Sequence, residues 1–98
     1  MADLTVVAVI TAQPGKEDVV RDALAALVPP TLQEEGCLGY VLSESAAAPG
    51  TFVTIETWRA QADMDAHMQS PHVAQAFAAA GESLAAAPGI HPLVPVSG

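Results

Sequence analysis

The stretch Thr51-Phe52-Val53-Thr54-Ile55-Glu56-Thr57-Trp58-Arg59 is rich in β-branched residues and reads with a period of two. That period predicts a strand with Phe52, Thr54, Glu56 and Trp58 on one face and Val53, Ile55 and Thr57 on the other. Upstream, Pro49-Gly50 fits the two central positions of a type II turn, within a loop over residues 46–50. The segment before it, Cys37 to Ser45, is then the partner strand of a hairpin, with Leu38, Tyr40 and Leu42 on one face. Downstream, Gln61 to Gln69 reads as a short helix that carries His67. Ser70-Pro71 restarts the chain with an N-cap serine and a proline at the first helical position. A strand that ends on an indole is thus followed by a helix bearing an imidazole, so Trp58 and His67 can flank one pocket.

Leu4 to Thr11 reads as another strand, apolar on both faces: Leu4, Val6, Ala8 and Ile10 on one, Val7 and Val9 on the other. Pro14-Gly15 makes a turn. Lys16 to Val28 has helical spacing, with an apolar stripe through Val19, Val20, Ala23, Leu24, Leu27 and Val28, and with Glu17 and Asp18 in the first turn, where they suit the helix dipole. Pro29-Pro30 is expected to end or kink that helix, leaving a short turn through Glu35 before Gly36. Val73, Phe77, Ala80 and Leu84 share one face of a last helix. Pro88-Gly89 leads into a final strand from Ile90 to Val96, whose Pro92 and Pro95 each remove a ladder donor and favour a sheet edge. The order is β-α-β-β-α-β, an α+β ferredoxin-like split fold with an antiparallel sheet, and residues 1–98 read as one domain. Helices covering one face of the sheet leave the other in need of cover, and a second copy packed sheet to sheet, a homodimer, is the simplest provision.

Composition narrows the partners. The net charge of -8 rests on eleven acidic residues against Lys16, Arg21 and Arg59, so nucleic acid and anionic membrane surfaces, which need a basic footprint, are not expected to bind. Multiply phosphorylated ligands are disfavoured for the same reason. A hydrophobic content of 51% argues for a packed domain rather than a disordered chain. No apolar run reaches the length of a membrane span, and Met1-Ala2-Asp3 lacks the start of a signal peptide, so the expected location is cytoplasmic. Cys37 is the sole cysteine and reads as a small buried apolar residue. The spacing of His67, His72 and His91 matches no common ligand motif, so no metal is expected.

Taken together, Pro14-Gly15-Lys16, Glu35-Gly36-Cys37-Leu38-Gly39-Tyr40, Pro49-Gly50 with Phe52-Val53, Glu56-Thr57-Trp58-Arg59, Asp65-Ala66-His67 and Ser70-Pro71-His72 resemble the antibiotic biosynthesis monooxygenase family over nearly the whole chain. The resemblance implies a dimeric α+β barrel, with an apolar cavity between sheet and helices in each subunit. It further implies a monooxygenase without cofactor, acting with dioxygen on a small apolar aromatic such as a phenol, anthrone or quinol.

An imidazole changes charge near neutral pH, so His67 is the candidate general base or partner of a developing phenolate. Trp58 is expected to orient the substrate ring and to donate its indole N–H to a substrate or peroxide oxygen. Tyr40, Glu56, His72 and Phe77 are the candidate substrate-binding residues, with Arg59 or a dimer contact the expected partner of Glu56. The haem-degrading relatives add a first-strand asparagine; this chain contains none, Val7 lies near that position, and only Thr5 or Thr11 offers a polar substitute. Isomerisation or cyclisation of a small carbonyl compound, and a non-catalytic dimeric ligand-binding module, are the alternatives.

Overall fold

A computed structural model describes residues 3–98. Strand β1 (Leu4–Thr11) leads to helix α1 (Glu17–Leu32), strands β2 (Cys37–Glu44) and β3 (Thr51–Trp58), helices α2 (Gln61–Met68) and α3 (Pro71–Ala80), a short 3₁₀ turn (Gly81–Ser83), and strand β4 (Gly89–Pro92). The sheet runs β2-β3-β1-β4, and every neighbouring pair is antiparallel. This is the ferredoxin-like α+β arrangement expected. Among the described residues no helix is long and apolar enough to cross a membrane.

The central pair sets the architecture. β1 and β3 run in unbroken register from Leu4 opposite Trp58 to Thr11 opposite Thr51. Val6, Ala8 and Ile10 therefore share the inner face with Phe52, Thr54, Glu56 and Trp58, and all seven are buried. Val20 and Leu27 of α1 and Val73 and Ala80 of α3 close the core over that face. At about 25 cal/mol per Å², burying one such aliphatic side chain contributes roughly 1.5–3 kcal/mol, so the even-numbered positions of β1 and β3 fix which way the sheet faces. The Pro49-Gly50 turn forms as expected: Thr51 N–H donates to the Ala48 carbonyl at 3.0 Å, and Gly50 takes φ +90°.

The last helix ends at Ala80, so Leu84 lies beyond it and bridges to Ala12, and three further elements differ from expectation, each for a local reason. α1 continues through Pro29 and Pro30 to Leu32. The helix goes on because its inner stripe does: Leu27 and Thr31 are both buried, and the Thr31 hydroxyl donates to the Leu27 carbonyl at 2.7 Å. Leu38 leaves the face it was expected to share with Tyr40. The β2–β3 register shifts between Cys37 and Gly39, a bulge that makes Leu38 the extra residue and exposes it while Cys37 packs on the core. β4 is shorter than Ile90–Val96 and pairs with β1 only from Gly89 to Pro92, with one further bond from Leu93 N–H to the Thr5 carbonyl at 2.8 Å. It does lie at the sheet edge.

Candidate functional site

An apolar cavity of about 60 Å³ lies between the inner sheet face and the helices. Its polar wall comes from four residues: Tyr40 on β2, Thr54 and Glu56 on β3, and His67 on α2. Phe77 and Met68, which also line it, are 44% and 38% exposed and mark its mouth. An apolar cavity of ~150 Å³ accepts benzene, so an aromatic ligand enters this one only as side chains at the mouth move aside. Unbranched, three-torsion Met68 is suited to that.

His67 is 3% exposed. Its position follows from the chain around it: α2 starts directly after β3, and the Ser70 hydroxyl donates to the His67 carbonyl at 2.7 Å while accepting from Val73 N–H at 3.3 Å. One serine thus closes α2 and caps α3. The imidazole packs against Trp58 with ring centroids 4.8 Å apart and against Tyr40 at 5.7 Å. Its Nδ1 lies 2.6 Å from Oε2 of Glu34, and Nε2 of His72 lies 2.8 Å from the same oxygen. An ionised carboxylate only accepts, so both of these ring nitrogens carry hydrogen. For His67 that tautomer leaves Nε2 as the acceptor when the ring is neutral.

Glu34 was not among the residues singled out in the sequence. It sits in the turn between α1 and β2, fixed by its own N–H to the Thr31 carbonyl at 3.0 Å and by Cys37 N–H to its carbonyl at 3.1 Å. It is 33 residues from His67 and 38 from His72, so no local periodicity connects them. The available signal was a carboxylate two residues before Gly36 in a helix-to-strand turn, which is too common to single out.

The other expectations divide. Tyr40 and Phe77 line the cavity; Tyr40 is buried, and burial first, then the charge of Glu56, pushes its hydroxyl pKa up, so it remains an O–H donor. Glu56 also lines it, but Arg59 does not pair with it: Arg59 binds Asp63 at 2.8 Å, whereas Glu56 accepts from the Thr54 hydroxyl at 2.7 Å and from the Trp58 indole N–H at 3.0 Å. The indole is therefore engaged with Glu56 and fully enclosed, and it is not among the residues lining the cavity. His72 is likewise outside the cavity lining. Its i+5 offset from His67 across the helix break brings it to Glu34 instead. Thr5 and Thr11 fall on the outward parity of β1, opposite Thr57 and Thr51, so neither supplies a polar group to the cavity. Thr54 and Glu56 on β3 do.

The family model described as antibiotic biosynthesis monooxygenase matches residues 3–79. The probable quinol monooxygenase YgiN of Escherichia coli (strain K12) is 40% identical over 80 residues, covering 71% of this chain and 77% of the relative. The putative monooxygenase Rv0793 of Mycobacterium tuberculosis is 36% identical over 81 residues, covering 83% and 79%. The solved structure of Rv0793 superposes with a TM-score of 0.88 at 32% identity over 99% of this chain and 98% of that one. PA3566 from Pseudomonas aeruginosa superposes equally well, at 0.88 and 33% identity over 99% and 97%.

Proposed function

The chain belongs to the antibiotic biosynthesis monooxygenase family, and we propose that it oxidises a small electron-rich aromatic, a phenol, anthrone or quinol, with dioxygen and without a bound redox cofactor, as a cytoplasmic homodimer. The observation that carries this reading is His67: a buried imidazole on the wall of an apolar cavity, its Nδ1 held by a carboxylate 2.6 Å away.

The chemistry asks for little more. Triplet dioxygen reacts slowly with closed-shell molecules, so the substrate itself must be made a better electron donor. His67 Nε2 takes the proton of a phenolic hydroxyl, and Glu34, accepting from Nδ1–H, stabilises the imidazolium that forms. The phenolate passes one electron to dioxygen, the radical pair joins as a C–O bond, and the resulting peroxide loses water. For a hydroquinone, one oxygen atom enters the ring to give a hydroxyquinone and the other leaves in water, so no external reductant is needed. Tyr40, which lines the same cavity, supplies in this reading an O–H to a developing oxyanion. Apolar walls strengthen these contacts and keep water from the intermediates.

The dimer reading is supported by the outer sheet face. Val7 stands opposite Ile55, and Ile55 opposite Val41, so an apolar row crosses three strands. Ile55 and Val41 are 50% and 57% exposed, an arrangement a second copy would cover.

Turnover of a hydroquinone under isotopically heavy dioxygen tests the reaction. One labelled atom per hydroxyquinone, with the other in water, is the expected result. Product formed without dioxygen would replace this reading with isomerase or cyclase chemistry, and binding without product would replace it with a ligand-binding module.

A further inference from the structure

Glu34, His67 and His72 converge from two separate parts of the chain, and one carboxylate oxygen faces a nitrogen of each imidazole. We propose that these three residues form a site for one divalent transition-metal ion of the zinc or nickel type, bound through Nδ1 of His67, Nε2 of His72 and the Glu34 carboxylate. The three ligand atoms lie within 4.8 Å of one another. Metal–ligand bonds of about 2.0–2.2 Å place neighbouring ligands of a tetrahedral ion roughly 3.3 Å apart. The two oxygen-to-nitrogen distances, 2.6 and 2.8 Å, must widen and the two ring nitrogens, within 4.8 Å of each other, must close to that value, which takes a rotation of the half-buried His72 ring together with the Glu34 side chain. Two imidazoles and one carboxylate select zinc, nickel or copper over calcium and magnesium, which take oxygen ligands. Three protein ligands leave a fourth position for water, and the side chains of Glu34 and His72, 17% and 19% exposed, open the cluster to solvent on the side away from the buried His67. The net charge of -8 favours a cation.

Such an ion would act on His67 directly. Coordination at Nδ1 puts the ring hydrogen on Nε2, so a ring that accepts becomes a ring that donates. The bound metal is thus an off-switch for a base at Nε2, and the metal-free protein is the form able to take a proton there.

The test uses the metal-stripped full chain and does not involve turnover. Calorimetric titration with Zn²⁺ is expected to show one ion per subunit. Affinity should fall at least about tenfold in His72→Ala and in Glu34→Gln, and stay within about threefold in His91→Ala and Cys37→Ala, which remove groups outside the cluster. Ni²⁺ should quench the fluorescence of Trp58, the single tryptophan, because its ring lies 4.8 Å from that of His67, and quenching should be lost in His72→Ala. Equal Zn²⁺ affinity in wild type and His72→Ala, loss of binding in His91→Ala, or weak binding without defined stoichiometry or quenching would each overturn the proposal. Trp58 emission of the metal-free variants checks that they fold. None of these outcomes bears on oxygenation, so the two readings fail separately.

Discussion

Glu34 and Glu56 are both carboxylates beside the cavity, and they are held in opposite ways. Glu56 lies in the sheet, 3% exposed, and its partners are neutral donors two residues away on the same strand, Thr54 and Trp58. Glu34 lies in a turn, its side chain 17% exposed, and its partners are two imidazoles brought from a different part of the chain. The first carboxylate fastens the wall; the second, in the function proposed, sets the state of the base. Buried acids with neutral donors anchor structure because removing the acceptor strands their donors, whereas an acid in a partly exposed turn leaves partners that water can reach.

If that contrast is right, stability and rate should separate between the two sites. The largest effect is on stability. Glu56→Ala strands the Trp58 N–H and the Thr54 hydroxyl and leaves a void, and should cost about 3–5 kcal/mol in urea denaturation at fixed protein concentration. An unchanged midpoint would break the contrast at once. Next comes Gly36→Ala, where a methyl would lie 2.0 Å from Cγ and 2.4 Å from Cβ of Asp63. Displacing that turn should cost about 1–3 kcal/mol and lower the rate as well, because Glu34 moves with it.

Glu34→Gln should behave in the reverse sense to Glu56→Ala. It keeps the shape but weakens support of the His67 imidazolium, so kcat should fall about tenfold while the denaturation midpoint shifts by less than about 1 kcal/mol. A large stability loss with an unchanged rate would make Glu34 a second structural carboxylate.

The smallest effect concerns Tyr40, whose hydroxyl pKa is raised by burial and secondly by the Glu56 charge. The folded protein therefore holds that proton more tightly than the unfolded chain. Its contribution is complete below the ordinary value of about 10 and is lost as pH climbs through the folded value. Phenolate absorbance from this single tyrosine should appear in the native protein only above that ordinary range, and Tyr40→Phe should flatten the alkaline fall in melting temperature. Ionisation at the ordinary value would contradict the burial of the cavity wall.

The same contrast explains what was legible in the sequence. Period two on β3 places Phe52, Thr54, Glu56 and Trp58 on one buried face, and the observed Thr54–Glu56–Trp58 bonds run along that face. Ser70-Pro71 likewise marks the α2–α3 break without reference to the rest of the molecule. The Glu34 cluster depends instead on where a turn after α1 comes to rest against α2 and α3, which no spacing encodes. Leu38 was misplaced because a bulge adds a residue without a sequence marker beyond Gly39, and α1 outran its prolines because tertiary burial of Thr31 outweighs the missing donors. The engagement of the Trp58 indole was hidden for a subtler reason. Face assignment puts Glu56 and Trp58 side by side, but only side-chain geometry shows that they bond to each other.

The central claim is that His67, supported by Glu34, drives consumption of dioxygen in this cavity. It is tested most directly by oxygen uptake of the metal-stripped protein with a panel of hydroquinones, naphthols and anthrones, beside His67→Ala and a protein-free autoxidation control. The account predicts protein-dependent uptake that falls by about 10²-fold or more in His67→Ala. Uptake equal in wild type and His67→Ala, or no higher than autoxidation across the panel, would contradict it.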